Sequence, residues 1–242
     1  MTVVETKKYP GSVSVLRFSE KTRPSDIQLS QAAQLYAEVF GGYPWFEVST
    51  CADCGQFFGP ESSVVNPCTN CGGSLSAAYP EERVKEQISD LLERPGAALY
   101  LVESGNKIRG FAWGFMREVS ELISTKFGDE DKKEFAPAIK QALSTNTVFY
   151  INEVGLDDKL RGKGMGKMLM TKLLDEANLL NLPVALSTRV DTVLTPICLR
   201  LGFKQIFGQE AILDKNGNVV LTENIIVGKR KKEPGQTFFV RD

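Results

Sequence analysis

Apolar residues recur along the chain with two periods, and these periods predict both helices and strands. Spacings of three and four residues, typical of a helix with one buried face, predict helices at about 25–40, 81–93, 165–180 and 192–201. Runs of β-branched and aromatic residues predict strands at 13–18, 98–102, 108–117, 148–151, 183–187 and 204–207. The dipeptides Gly105-Asn106 and Asn216-Gly217 predict two hairpins. The more polar residues 119–145 predict one or two further helices.

A glycine-rich loop separates the strand at 148–151 from the helix that begins at Met165. Glycine lets the backbone approach a ligand, and the first turn of a helix carries unpaired amides and partial positive charge. Together these features form a site for phosphate, to which three basic side chains add full charges. We therefore predict that a phosphate-bearing cofactor binds to Arg161, Gly162, Lys163, Gly164, Met165, Gly166 and Lys167.

The spacing of these glycines fits neither the dinucleotide motif G-x-G-x-x-G nor the P-loop motif. The alternatives are a chance glycine-rich loop and a different cofactor motif. Residues 161–166, R-G-K-G-M-G, resemble the R/Q-x-x-G-x-G/A signature of the GNAT superfamily of acyl-CoA-dependent N-acyltransferases. Leu201-Gly202-Phe203 also resembles the L-G-F that closes a helix in many members. The resemblance implies an α/β (α+β) GNAT fold, with helices flanking a mixed sheet, as a single domain 1–242.

The same resemblance implies an activity, which is the direct transfer of an acetyl group from acetyl-CoA to an amine. The glycine loop would hold the pyrophosphate of the coenzyme. The strand before the loop would separate from its neighbour, and backbone N–H groups at Val154 and Leu156 would polarise the thioester carbonyl. Because the attacking amine must first lose a proton, Glu153 is the candidate base. If strand alternation turns Glu153 away, Asn152 and Tyr150 line the site instead.

Family patterns also assign candidate residues for the leaving group and the acceptor. Cys198 occupies the place of a tyrosine that protonates the departing thiolate, and its alternative role is that of a small buried hydrophobe. Asp191 stands where members have an asparagine, and we predict that it binds substrate. The aromatic residues that follow the first helix are predicted either to line the acceptor pocket or to fill the core, and they are Tyr43, Trp45 and Phe46.

Four cysteines form a C-x₂-C-x₁₃-C-x₂-C pattern, and they are Cys51, Cys54, Cys68 and Cys71. Two such paired knuckles predict a tetrahedral Zn²⁺ site, and four thiolates leave no open position for water, so the metal is structural. Iron is the alternative metal, and disulfides are the alternative chemistry. We interpret residues 48–76 as a zinc-ribbon insertion that folds around its metal, and residues 119–146 as a helical insertion.

The composition limits the classes of partner and the cellular location that we expect. The 242 residues carry a formal net charge of -1 and no histidine, and residues 51–75 contain no Lys or Arg, so a nucleic acid is not expected as a partner. The N-terminus does not resemble a signal peptide, no membrane span is predicted, and we expect a cytoplasmic protein. The basic run 229–232 is interpreted as solvated surface.

Two functions remain open at this stage. The first is an N-acetyltransferase acting on a primary amine of a small molecule, a peptide or a protein. The second is a protein-interaction module, in which the zinc ribbon binds a protein partner and the GNAT scaffold senses acyl-CoA or modifies that partner. A homodimer is compatible with either function.

Overall fold

The structure, a computed structural model, describes residues 2–5, 13–61, 67–226 and 236–241. The basic run 229–232 lies outside these residues. None of the described helices has both the length and the apolar character that crossing a membrane requires. The helices are α1 (Asp26–Gly41), α2 (Glu81–Leu91), α3 (Val119–Lys126), α4 (Asp129–Leu143), α5 (Met165–Leu179) and α6 (Leu194–Arg200).

The strands belong to three sheets, of which the largest has eight strands and the other two have three and two. They are β1 (Thr2–Glu5), β2 (Val13–Phe18), β3 (Ser49–Cys51), β4 (Phe57–Phe58), β5 (Leu75–Ala77), β6 (Ala98–Ser104), β7 (Lys107–Glu118), β8 (Thr147–Leu156), β9 (Val184–Arg189), β10 (Lys204–Phe207), β11 (Gln209–Leu213), β12 (Val219–Ile225) and β13 (Gln236–Arg241).

The described chain forms two compact units, and the first comprises residues 1–93, 99–111 and 155–165. In this unit β1, β2, β6 and the beginning of β7 are neighbours in the large sheet. The pair β2–β6 is antiparallel in a register that joins Val13 to Ser104. Helix α1 begins with a capping box, in which Ser25 and Gln28 exchange side-chain and backbone hydrogen bonds. Its buried face, which includes Tyr36 and Phe40, supplies much of this unit's core.

The first unit also contains the cysteine-rich segment, which forms a three-stranded sheet of its own. Strand β3 pairs antiparallel with β4 on one side and with β5 on the other. Its small core consists of Cys51, Cys68, Leu75 and the partly buried Phe58. A core this small supplies little hydrophobic free energy, so another source of stability is required.

The second unit comprises residues 94–98, 112–154 and 166–242. Here the rest of β7 is followed in the sheet by β8, β9, β13 and β10. The pair β8–β9 is parallel, whereas β9–β13 and β13–β10 are antiparallel. Residues 119–145 form α3 and α4, and their apolar side chains pack against buried residues of β8, β10 and β13.

The predicted fold class, a mixed sheet with flanking helices, is confirmed, and most predicted elements lie within a few residues of the observed ones. Strand β8 is longer than the predicted run 148–151, because it continues through the polar residues Asn152 and Glu153. Strands β1 and β13 and the three short strands of the cysteine-rich segment were not predicted. The last three are at most three residues long, too short for a periodic signal.

Gly155, near the end of β8, shows how closely the first unit is packed. A Cβ atom at this position would lie 2.2 Å from the ring of Phe111. We therefore expect Gly155→Ala to lower the free energy of unfolding by about 1–3 kcal/mol, because the buried ring must move. Gly59→Ala is the matched control, since its nearest new contact is an ordinary 3.6 Å. Urea denaturation measures both, and equal losses in the two variants would contradict the expectation.

Candidate active site

The glycine loop has the backbone geometry of an open anion site. Gly162 and Gly164 have positive φ angles of 70° and 77°, which L-residues adopt only at a cost. The amides of Gly162, Lys163 and Gly164 donate no hydrogen bond to any of the described residues. All three residues are exposed, and α5 begins immediately afterwards at Met165. The loop therefore presents unpaired N–H groups beside the positive end of a 15-residue helix.

Basic side chains around the loop divide into two kinds. Arg161 is engaged, because its Nε donates to the carbonyl oxygen of Leu156 at 3.2 Å and its guanidinium pairs with Asp158 at 2.7 Å. Arg161 thus ties the loop back to the end of β8. Lys163 and Lys167 are exposed and form no ion pair with any residue in the described part of the chain. Their charges remain available to a ligand.

Strands β8 and β9 separate part-way along their length. The three paired positions join Phe149 to Val184, Tyr150 to Ala185 and Ile151 to Leu186. Although β8 continues to Leu156, no described pair with β9 extends beyond Ile151. Burial changes at the same point, since residues 148–151 are buried and residues 152–154 are only half-buried. The separation leaves backbone groups of β8 without a strand partner on the β9 side.

Glu153 lies in this separated segment, together with Asn152. The two side chains contact each other, because Asn152 Nδ2 donates to Glu153 Oε1 at 3.1 Å. Desolvation lowers the pKa of Lys126 in α3. The negative charge of the nearby Glu153 carboxylate opposes this shift, because it favours the ammonium form of Lys126. Burial raises the pKa of Tyr150, and the Glu153 carboxylate raises it further. Glu153 is therefore not a fully solvated surface acid.

Tyr150 and Arg117 form a buried polar cluster that sequence patterns did not reveal. Tyr150 is fully buried, and its ring lies 5.7 Å from the guanidinium carbon of Arg117 and 5.4 Å from the ammonium of Lys126. The hydroxyl of Tyr150 and Nε of Arg117 are both buried without a hydrogen-bond partner in the described structure. The backbone of Ser187 lies near the hydroxyl but does not meet hydrogen-bond geometry. The sequence offered Tyr150 only as an alternative to Glu153 at the site, and it offered no signal for Arg117.

Cys198 and Asp191 are both engaged inside the second unit. Cys198 is completely buried in α6, and burial raises the pKa of its thiol. Asp191 forms a two-point ion pair with Arg189, with distances of 3.0 and 2.8 Å. This pairing holds the pKa of Asp191 below its usual value. Neither side chain is a free group at the separated strands.

The aromatic residues after α1 do not behave as one surface. Trp45 is half-buried and packs 5.7 Å from Phe40 of α1, measured between ring centres. Tyr43 and Phe46 contact each other edge to face at 5.9 Å and are 69% and 45% exposed. Trp45 is thus half-buried against α1, whereas the rings of Tyr43 and Phe46 are exposed, and the acceptor-pocket role of the three residues stays a prediction.

The four predicted ligand cysteines converge on one point. Their sulfur atoms all lie within 4.8 Å of one another, and the pairs Cys51–Cys71 and Cys54–Cys68 are 3.5 and 3.6 Å apart. A tetrahedron with Zn–S bonds of about 2.3 Å has edges of about 3.8 Å, whereas a disulfide requires about 2.05 Å. The cluster is therefore compatible with a zinc ribbon. None of the five cysteines is in a disulfide.

Two matching turns carry these cysteines. The N–H of Gly55 donates to the carbonyl of Cys51 at 3.0 Å, and that of Gly72 donates to Cys68 at 2.8 Å. Both glycines have positive φ. The side chain of Asn70 and the backbone N–H of Gln56 lower the pKa of Cys54 to about 6. The backbone of Gly73 favours the thiolate of Cys71, but hydrogen bonding with Cys51 and Cys54 outweighs it and raises the pKa of Cys71 to about 12. Four cysteine sulfur atoms at this spacing match the ligand set of a single metal ion.

Several of these features lie in a region that matches the model of a known protein family. The model of the acetyltransferase (GNAT) family matches residues 68–203, which is more than half of the chain. The chain belongs to the GNAT family. It is accordingly an acyltransferase, and the matched region contains β8, the glycine loop and α5. No curated protein matches the sequence.

Solved structures show the same fold at low sequence identity. The polyamine N-acetyltransferase of Drosophila melanogaster, which forms N-acetylagmatine, is 13% identical, with a TM-score of 0.53 over 95% of this chain and 99% of its own. Protein PH1933 of Pyrococcus horikoshii OT3 is 13% identical, with a TM-score of 0.50 over 95% and 98%. An agmatine N-acetyltransferase mutant is 14% identical, with a TM-score of 0.50 over 93% and 98%. At sequence identities this low, the similarity shows only that this GNAT protein has the same fold as these structures.

Proposed function

We propose that this GNAT protein transfers an acetyl group from acetyl-CoA to a primary amine of a small molecule or a peptide. One observation carries the proposal. Three exposed amides, which have no acceptor among the described residues, stand just before α5 in the loop that follows the separated strand. Such an end of a helix binds phosphate, and acetyl-CoA carries its diphosphate and its thioester on one extended molecule.

In this proposal, backbone N–H groups bind both the diphosphate and the thioester of acetyl-CoA. The amides of Gly162 to Gly166 hold the diphosphate, and Lys163 and Lys167 add charge near it. Arg161 acts indirectly, because its bond to the Leu156 carbonyl fixes the loop. The N–H groups of Val154 and Leu156 donate to the thioester oxygen as it gains negative charge.

Glu153 is the proposed base. It removes a proton from the ammonium of the acceptor, and the neutral amine then forms a C–N bond with the acetyl carbon as the C–S bond breaks. The thiolate of CoA leaves and takes up a proton. Cys198 is a poor donor of that proton, because burial raises its pKa above that of an ordinary thiol near 8.5. We therefore propose that solvent or the proton released by the amine serves instead.

For the acceptor, we propose a small amine, and the assignment of Tyr43, Trp45 and Phe46 to its pocket stays a prediction of the sequence. The neighbouring structures include enzymes named for polyamines and agmatine, which supports a small aliphatic amine as the starting probe. Asn152 is proposed to bind the acceptor through its contact with Glu153. Asp191 has its charge satisfied by Arg189, so we propose that it shapes the site through that pair.

For the cysteine cluster, we propose a structural Zn²⁺ held by Cys51, Cys54, Cys68 and Cys71, in an insertion spanning residues 48–76. A second candidate function is a contact with a protein partner through this ribbon. The exposed ring of Phe57 on β4 favours it, being 42% accessible. The absence of basic residues from 51–75 argues against nucleic acid. The helical insertion 119–146, a cytoplasmic location and a homodimer stay predictions of the sequence.

Gly164→Ala tests the phosphate loop. We expect the variant to bind acetyl-CoA about 10-fold more weakly or worse, because alanine disfavours the positive φ that points the amides outward, at a cost of about 1–2 kcal/mol. Isothermal titration calorimetry measures the affinity.

Gly105→Ala is the matched control for this variant. Its φ is also positive, and the new Cβ at either position meets open space, so both variants carry the same strain. Gly105 lies in the β6–β7 turn. Equal affinities of the two variants would contradict the assignment of the loop.

A further inference from the structure

The buried cluster around Arg117 and Tyr150 has two polar atoms that find no hydrogen-bond partner among the described residues. Two of the three buried side-chain polar atoms without partners in the described structure are Arg117 Nε and the Tyr150 hydroxyl. A buried donor without an acceptor costs free energy, so such atoms are rare outside sites that receive a ligand or water. Both atoms belong to the same cluster, because the guanidinium lies over the tyrosine ring.

The guanidinium of Arg117 is held rigidly in this position. Its side chain is only 10% exposed, and its Nη2 donates to Thr125 Oγ1 at 2.6 Å and to Glu121 Oε1 at 3.3 Å. These contacts leave the Nε–H group without an acceptor among the described residues. A fixed guanidinium with a free N–H matches the geometry of a carboxylate better than that of a neutral group.

The charges of the cluster also favour an anion. Arg117 and Lys126 contribute two cations, whereas the nearby carboxylates are Glu121, which is 40% exposed, and Glu153, the proposed base. The ammonium of Lys126 lies over the same tyrosine ring as the guanidinium, at 5.4 Å. Lys126 is exposed as a residue, but desolvation of its ammonium lowers its pKa. A carboxylate from a substrate would satisfy both cations and both unpaired donors.

We propose that the substrate carries a carboxylate, and that this carboxylate binds to Arg117 Nε and the Tyr150 hydroxyl with Lys126 beside it. The inference rests on the proposed function and adds a substrate class to it. Tyr150 lies three residues before Glu153 on β8, so one substrate would place its amine at the carboxylate and its acid group at the cations. The acid group belongs either to the acceptor, as in an amino acid, or to a dicarboxylic acyl chain on CoA.

Matched pairs of substrates separate these two sources. The acceptor arm compares arginine with agmatine and ornithine with putrescine, each with acetyl-CoA. The acyl arm compares succinyl-CoA with acetyl-CoA, using agmatine as the acceptor. We expect kcat/KM to be about 30-fold higher or more for the carboxylate member in one of the two arms, because leaving buried donors unpaired penalises the other member. The arm that responds identifies the source.

Arg117→Met and Arg117→Lys test whether the cluster is responsible. We expect Arg117→Met to reduce the preference to less than about threefold, and Arg117→Lys to retain only part of it, since lysine keeps the charge but lacks the planar fork. Arg94→Met is the matched control. Arg94 also pairs with Glu121 and lies 5.7 Å from the Phe115 ring, but it is 53% exposed, so the preference should remain.

Equilibrium binding keeps this test independent of turnover. Isothermal titration of the same acceptor pairs into the protein with CoA, and of the two acyl-CoAs, reports the preference even if no amine is acetylated. Acetylation without a preference in either arm would overturn the carboxylate site and leave the proposed function intact. If Arg117→Met lowers kcat/KM equally for both members of a pair while thermal unfolding is unchanged, that result would also overturn the carboxylate site.

Discussion

Replacing Glu153 with glutamine is expected to lower kcat/KM for the amine acceptor by about 100- to 1000-fold. Glutamine has the same shape and can still contact Asn152, but it cannot accept a proton. An ammonium has no lone pair, so without the base only the small fraction of amine that is already neutral reacts. The affinity for acetyl-CoA should change little, because the loop at 161–166 is untouched.

The pH profile distinguishes loss of a base from loss of structure. In the wild-type protein, kcat/KM should fall less steeply toward low pH than in Glu153→Gln, because the base can take a proton from the bound ammonium. In Glu153→Gln the rate should follow only the deprotonation of the free amine. Glu103→Gln on β6 is the matched control, being a half-buried strand glutamate in the other unit. A variant rate within threefold of wild type would remove Glu153 from the mechanism.

Removal of the metal is expected to have the largest effect on stability. The purified protein should contain one zinc ion per chain, and Cys68→Ser should lose most of it. A structural zinc site supplies several kcal/mol of folding free energy, so we expect the midpoint of thermal unfolding to fall by about 10 °C or more. Chelation of the wild-type protein should produce the same shift. Elemental analysis measures the metal and separates zinc from iron.

The fifth cysteine provides the control for this experiment. Cys198 is completely buried in α6 and is no part of the four-sulfur cluster. Cys198→Ala should keep one equivalent of metal and lose only the small free energy of a buried thiol, about 1 kcal/mol. The same variant should retain acetyl transfer within about threefold, as expected if solvent rather than Cys198 protonates the CoA thiolate. Full metal content in Cys68→Ser would contradict the site.

Local patterns predicted the parts of this protein whose chemistry lies in consecutive residues. The glycine loop at 161–166 and the knuckles around Cys51 and Cys68 each need particular residue types at fixed spacing. Because the required geometry is local, the sequence contains it. The same holds for α1 and α5, whose apolar faces repeat every three or four residues.

The Arg117–Tyr150 cluster could not be predicted in this way. Its members come from β7, α3 and β8, and only the folded second unit brings them together. Arg117 in isolation resembles any solvated strand-end residue, and the sequence offered Tyr150 only as an alternative to Glu153 at the site. What marks them is burial without a hydrogen-bond partner, which is a property of three-dimensional packing. Strand β13 was missed for a related reason, since its partners β9 and β10 lie far away in sequence.

The separation of β8 from β9 has a consequence for how firmly this strand is held together. Amides of β8 that point toward β9 have a strand partner up to Ile151, whereas no described pair with β9 covers those beyond it. Hydrogen–deuterium exchange should therefore change from slow to fast within one continuous strand. A ligand in the gap would slow the fast half and raise the melting temperature by mass action, so the coenzyme would be part of what stabilises the enzyme.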